Sequence, residues 1–397
     1  MSCLFKCRCR SSRNEVSSGE DIRTNDESLY QHLSEASNFS EAIPLVQKNP
    51  DMIKYEASVG NFELLSVIGR GFNSTAIVSL SKHIPSGHRL AVKRTNLDAL
   101  GVDIAQVEHE IWVTRQLRHE NIIPYFCTFV KGNEIWAVMP VMTYGSVRDI
   151  LNTHFPMGLP EYAVSFILRD LLSALHYIHV RGYIHRSIKA SHLLLSSKGR
   201  VMLSGFRYSC NVIVNGRWQS RIHAFPENAV NTLNWLSPEL LEQNLMGYNS
   251  KSDIYSVGVT AFELANGVAP FTGMAPTQML LAKLRDLVPR QASSALCDGT
   301  AVKASSQDMC KPSGESSSKA NLFGSDFSSF TSLCLQRDPT LRPSAQQLSS
   351  HSFIKLCRKS SASLPEIISV VTPRSGVPKE DEGEARSNKS DEIVWTF

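Results

Sequence analysis

The sequence predicts an α+β protein of two lobes, a small β-rich lobe with one main helix followed by a larger helical lobe. Three stretches carry that expectation. In "NFELLSVIGRGFNSTAIVSLSKHIPSGHRLAVKR" apolar and β-branched residues alternate, and Pro85 to Gly87 reads as a turn between two strands. "DIAQVEHEIWVTRQL" then repeats Ile104, Val107, Ile111 and Leu117 at the spacing of one helical face. Beyond Gly145, "YAVSFILRDLLSALHYIH" and "DIYSVGVTAFELANG" are long, densely apolar and helix-like, with the short strand-like pieces "HLLLS" and "RVMLS" between them.

The remaining boundaries follow from composition. Residues 1–57 are polar and read as a flexible leader, 58–356 as the folded domain, about 288–322 as a Ser-rich flexible insertion, and 357–397 as a flexible polar tail. At 397 residues, 42% hydrophobic and 20% charged, the chain has the balance of a globular protein with a sizeable core. A net charge of +4 is too small and too dispersed to point to nucleic acid or an anionic membrane. No apolar run reads as a bilayer-spanning helix. The 9 cysteines are odd in number and lack a disulfide-like framework, which predicts a reducing compartment. "CLFKCRCR" reads as free thiols on a tail, with reversible acylation as the sharper alternative; its spacing lacks the second ligand pair of a zinc site.

The motifs run in a fixed order. "IGRGFNSTA" is a glycine-rich strand-turn-strand in which Gly69 and Gly71 can bring backbone N–H groups to phosphates; Ser74 stands at the third glycine position and Ala76 at the following valine. "LAVK" places Lys93 on the next hairpin, and Glu110, on the polar side of the helix, is positioned to pair with it. "YIHRSIKASHLLL" stands where a catalytic loop would read His-Arg-Asp, Lys, Asn, with Ser187 for the Asp and His192 for the Asn, Lys189 being kept. "LSGF" follows, with Ser204 in place of a metal-binding Asp and Gly205-Phe206 inverting the usual Phe-Gly. Glu239 in "LSPELL", Asp253 in "SDIYSVG" and Arg342 in "RDPTLRPSA" complete the series.

This series resembles the eukaryotic protein kinase fold over about residues 62–356. The resemblance implies that Glu239 and Arg342 form an ion pair tying the activation segment to the last helices, and that Asp253 anchors the catalytic-loop backbone. Phosphoryl transfer needs a carboxylate to orient and deprotonate the acceptor and oxygen ligands for Mg²⁺. Ser187, His192 and Ser204 supply neither, and losing the general base alone costs roughly 10²–10⁴ in rate. A catalytically inactive kinase fold, without a metal site, is expected. ATP binding is expected to persist as an allosteric ligand without required Mg²⁺, through Gly69, Gly71, Ala76, Lys93 and Met142 of the hinge-like "AVMPVMTYGS", with Lys189 and Arg207 offsetting phosphate charge. A weakly active or nucleotide-sensing serine/threonine kinase is the alternative.

More closely, "GYIHRSIKASHLLLS", "WLSPELL", "GYNSKSDIYSVGVTAFELANG" and "TQMLLAKL" resemble the Sterile-twenty-related adaptor (STRAD) pseudokinases, the beta branch somewhat more than the alpha on the Cys-bearing start and Lys93. That resemblance implies an adaptor that activates the serine/threonine kinase liver kinase B-one together with the scaffold calcium-binding protein thirty-nine, in cytoplasm and nucleus. The terminal "DEIVWTF" resembles the family's Trp-x-Phe ending, so Trp395 and Phe397 are expected to dock on the scaffold, with Thr396 where an acid is usual.

Overall fold

The computed structural model describes residues 55–71, 75–100, 103–214, 216–226, 229–243, 246–285 and 323–373. Ser74, the insertion at 288–322, the Cys cluster at the start, and Trp395 and Phe397 lie outside them.

The small lobe is a five-stranded antiparallel sheet: β1 (Phe62–Gly71), β2 (Ala76–His83), β3 (Arg89–Asn96), β4 (Cys127–Lys131) and β5 (Glu134–Met139), in the order β1-β2-β3-β5-β4. The predicted turn at Pro85–Gly87 closes β2 onto β3, with Gly87 at φ +73° and its N–H on the His83 carbonyl. Helix α1 (Ile104–Gln116) buries Val107, Glu110, Val113 and Thr114 while Trp112 points to solvent. Glu110 faces inward, where Lys93, the partner expected from the sequence, meets its charge.

In the large lobe, β6 (Gly145–Ser146) leads into α2 (Val147–His154), capped by the Ser146 hydroxyl accepting from the Asp149 N–H. Helix α3 (Glu161–Val180) follows, then β7 (Tyr183–Ile184), β8 (Leu193–Leu195) and β9 (Val201–Leu203). After the short α4 (Pro238–Leu241) come α5 (Lys251–Asn266), α6 (Pro276–Leu284), α7 (Ser325–Cys334), α8 (Ala345–Leu348), α9 (Ser352–Lys355) and α10 (Leu364–Ile367). Alone among the described helices, α3 is long and apolar enough to cross a membrane. It is instead the centre of this lobe: Leu168, Leu172, Ala174, Leu175 and Ile178 are sealed against α5 and the following helices.

One boundary is corrected. The tail expected from residue 357 is folded through Val371: Leu364, Ile368 and Val371 fill the large-lobe core, and Ser363 with Glu366 forms a capping box at the start of α10. The polar Ser-rich sequence there masks three apolar contacts at near-helical spacing. At the other end the described residues start at Tyr55, whose ring packs edge-on against His83 at 4.9 Å. Cys127, Cys210, Cys334 and Cys357 are free thiols.

Candidate functional site

The cleft between sheet and large lobe brings together Lys93, Glu110, Arg207, Ser187, His192 and Ser204. Lys93, on β3 between Val78 and Ala137, puts Nζ 2.7 Å from Oε1 of Glu110 on α1. The same oxygen accepts from the Tyr125 hydroxyl at 2.9 Å, and Arg207 Nε lies 3.8 Å from the other. Burial alone would raise the Glu110 pKa, but Lys93 and Arg207 together hold it below the usual carboxylate value. Tyr125 is pushed well up by burial and the adjacent carboxylate. Arg207 is thus buried against α1, on the carboxylate that Lys93 also pairs with.

The catalytic-loop backbone hangs on Asp253 of α5. Its carboxylate accepts the N–H of His185 at 2.8 Å and of Arg186 at 2.9 Å, with His179 Nε2 at 2.8 Å. Such bonds hold Asp253 ionised against a burial effect that would raise its pKa. His185 receives the Ser187 N–H on Nδ1 at 3.2 Å and places Nε2 3.1 Å from the Ser204 carbonyl, the pattern of a neutral imidazole. Burial lowers its pKa to about 4. Phe206, fully buried, packs edge-on against the same ring at 4.7 Å.

Ser187, His192 and Ser204 are brought together, and they satisfy one another. His192 Nδ1 is 2.7 Å from the Ser187 carbonyl and 3.3 Å from its hydroxyl. The Ser204 hydroxyl donates to the His192 carbonyl at 3.0 Å, and its N–H to the same oxygen at 2.8 Å. Burial, then the Lys189 charge, keep His192 well below its ordinary pKa, hence neutral. A Mg²⁺ ion prefers several carboxylate or water oxygens at about 2.0–2.1 Å. Here a hydroxyl turned to a carbonyl and an imidazole nitrogen turned to another do not fit it.

Lys189 leaves the cleft. Its Nζ donates to the Asn231 carbonyl at 3.1 Å and lies 5.4 Å from the Trp235 ring centroid, on the activation-segment side. Burial lowers its pKa to about 8, opposed by Glu263. Glu263 went unsingled in the sequence: it is 1% exposed and accepts the Ala190 N–H at 3.0 Å and Trp235 Nε1 at 2.8 Å, with Arg148 at 3.5 Å. A lone carboxylate inside the apolar "AFELANG" was the available signal.

Gly69 pairs with Val78 and Gly71 with Ala76 along the first hairpin. Met142 is buried with Ala91, Ala137 and Met139, against which Ile68, Val78 and Leu194 pack. Farther out, Arg342 grips Glu239 with two bonds of 2.6 and 2.9 Å while Ser252 donates to the same carboxylate at 2.9 Å.

Strand order, the Lys93–Glu110 pair, the Asp253 anchor and the Glu239–Arg342 clamp define a protein kinase fold, and the family model "Protein kinase domain" matches residues 62–354. The chain is 42% identical over 353 residues to mouse STE20-related kinase adapter protein alpha, covering 84% of this chain and 82% of that protein. It is 36% identical over 394 residues to human STE20-related kinase adapter protein beta, covering 94% and 93%. The chain therefore belongs to the STE20-related kinase adapter family. The expected leaning to the beta branch is not supported by identity, which is higher with the alpha protein, although the beta match spans more of the chain.

Proposed function

We propose that the protein is an adapter lacking phosphotransfer activity, which binds the serine/threonine kinase liver kinase B-one and activates it together with the scaffold calcium-binding protein thirty-nine. The observation that carries this reading is the pairing of an intact frame with a self-satisfied centre. Lys93–Glu110, Asp253 and Glu239–Arg342 are all made, whereas Ser187, His192 and Ser204 spend their polar groups on each other. A fold kept for shape can activate a partner only by binding its active state more tightly than its inactive one. Trp395 and Phe397 are proposed as the scaffold anchors, and residence in cytoplasm and nucleus goes with this role.

ATP is proposed as an allosteric ligand taken without Mg²⁺. The apolar groups of Ile68, Val78, Ala91 and Leu194 gather from both lobes as an adenine ring would require, and Lys93 offers a cation to phosphate. Lys189 and Arg207 would have to leave the Asn231 carbonyl and Glu110 to join it. The test is partner-kinase turnover with the purified full chain and scaffold: a rise in rate, with no phosphate transferred by the chain alone, is expected, and an unchanged partner rate rejects the reading. Thermal shift with ATP in EDTA and in Mg²⁺ decides the nucleotide part, since a shift seen only with Mg²⁺ contradicts it.

A further inference from the structure

Two buried cations outside the cleft grip the main chain of the activation segment. Lys283, on α6, is 2% exposed, and its Nζ donates to three backbone carbonyls, those of Leu233 (3.2 Å), Asn234 (2.8 Å) and Leu236 (2.7 Å). These carbonyls use all three donors of an ammonium. Its Nζ also lies 5.2 Å from the Phe271 ring centroid and 5.6 Å from that of Tyr255, and burial lowers its pKa to about 7, opposed by Glu239. The 3₁₀ turn Ala229–Trp235 and the start of α4 are thereby fastened to α6 from within.

Arg186 does the same at the other end. It sits at φ +61° and its guanidinium donates to the carbonyls of Tyr208, Ser209 (3.3 Å) and Ala224 (2.9 Å) and to the Tyr248 hydroxyl (2.9 Å), which itself donates to Ala224. The segment's entry, middle and exit are drawn onto two cations through atoms that every residue possesses. Main-chain carbonyls thus carry part of the hold, beside Trp235 Nε1 on Glu263 and the packing of Val212, Phe225 and Leu236.

We propose that Lys283 and Arg186 fix the path of the activation segment chiefly through its backbone carbonyls, so that the path needs no phosphate on the segment. Kinase-like segments are commonly ordered when an added phosphate pairs with an arginine. In this chain the equivalent work is done by groups already inside the fold, and Lys283 is the positioning residue for the exit turn. This inference does not depend on which partner, if any, the protein activates.

Hydrogen exchange read by mass spectrometry on the full chain, before and after phosphatase treatment, tests it. Ser209, Val212, Ile222 and Leu236 amides, bonded to Phe206, Gly182, Tyr248 and Leu233 carbonyls, should be equally protected in both samples. Lys283→Met should speed exchange across 229–241 by about tenfold or more while leaving 206–212 unchanged. Tyr248→Phe should speed exchange around Ile222 and leave Leu236 unchanged. Loss of protection on dephosphorylation, an unchanged 229–241 window in Lys283→Met, or a uniform rise over the whole chain overturns the proposal. If Lys283→Met does not fold, Lys283→Gln, which keeps two donors, takes its place, and full protection of Leu236 in that variant overturns the role of Lys283.

Discussion

A Cβ atom on Gly205 would lie 2.6 Å from Nδ1 and 2.7 Å from Cγ of His192, and Gly205 has a left-handed φ of +82°. The two departures from the kinase pattern are thus one feature: an imidazole fills the place beside the turn, and only glycine leaves it room. Gly205→Ala is expected to lose about 2–4 kcal/mol, part from backbone strain and part from overpacking. Adding His192→Ala should restore the packing part only. Urea unfolding of the two single variants and the double one reads this, and strict additivity would show that the residues do not share space.

Glu110 carries more than Lys93 does. It is shared by Lys93, Arg207 and Tyr125, so Glu110→Gln strands two cations and is expected to cost about 3–5 kcal/mol. Lys93→Met leaves Arg207 beside the carboxylate and should cost distinctly less, about 1–2 kcal/mol. Chemical denaturation of both variants gives the ranking, and equal losses would contradict a shared carboxylate.

Acid should weaken the fold through His185. Buried and neutral, it has a folded pKa of about 4 against an ordinary value of 6.5. Between these values the unfolded chain binds the proton that the folded one excludes, so stability rises with pH there. The contribution, about 3 kcal/mol by the size of that gap, is complete above pH 6.5 and lost as pH falls toward 4. Melting temperatures from pH 4 to 7 should show this slope, and His185→Phe should flatten it.

Arg342→Lys is expected to be a poor substitution despite its conserved charge. Besides its two bonds to Glu239, Arg342 donates to the carbonyls of Gln336, Arg337 (3.0 Å) and Lys251 (3.1 Å), a fork that a single ammonium cannot reproduce. A loss of about 3 kcal/mol or more follows, read as an earlier unfolding midpoint with an unchanged denaturant slope. A variant as stable as the parent would show that the fork is dispensable.

Some of this site could be read from residue order. Lys93, Glu110, Asp253, Glu239 and Arg342 are named by motifs whose spacing reflects covalent distance along strands and helices, and their contacts were foreseeable. Other parts could not, because they depend on which atoms meet across long stretches of chain. Arg207 meets Glu110, 97 positions earlier in the numbering, and Lys189 meets the Asn231 carbonyl, contacts that no motif announced. Glu263 and Lys283 were hidden in apolar helices, where periodicity reports burial but not the partner that makes burial of a charge tolerable.

What the sequence determined by itself is the lobed α+β architecture and the missing acids at Ser187, His192 and Ser204, since composition, period and motif order are properties of the chain. The tertiary structure alone decided where the displaced polar groups turn. Hydroxyl, imidazole and ammonium each seek the nearest carbonyl once removed from water, and nearness is set by packing.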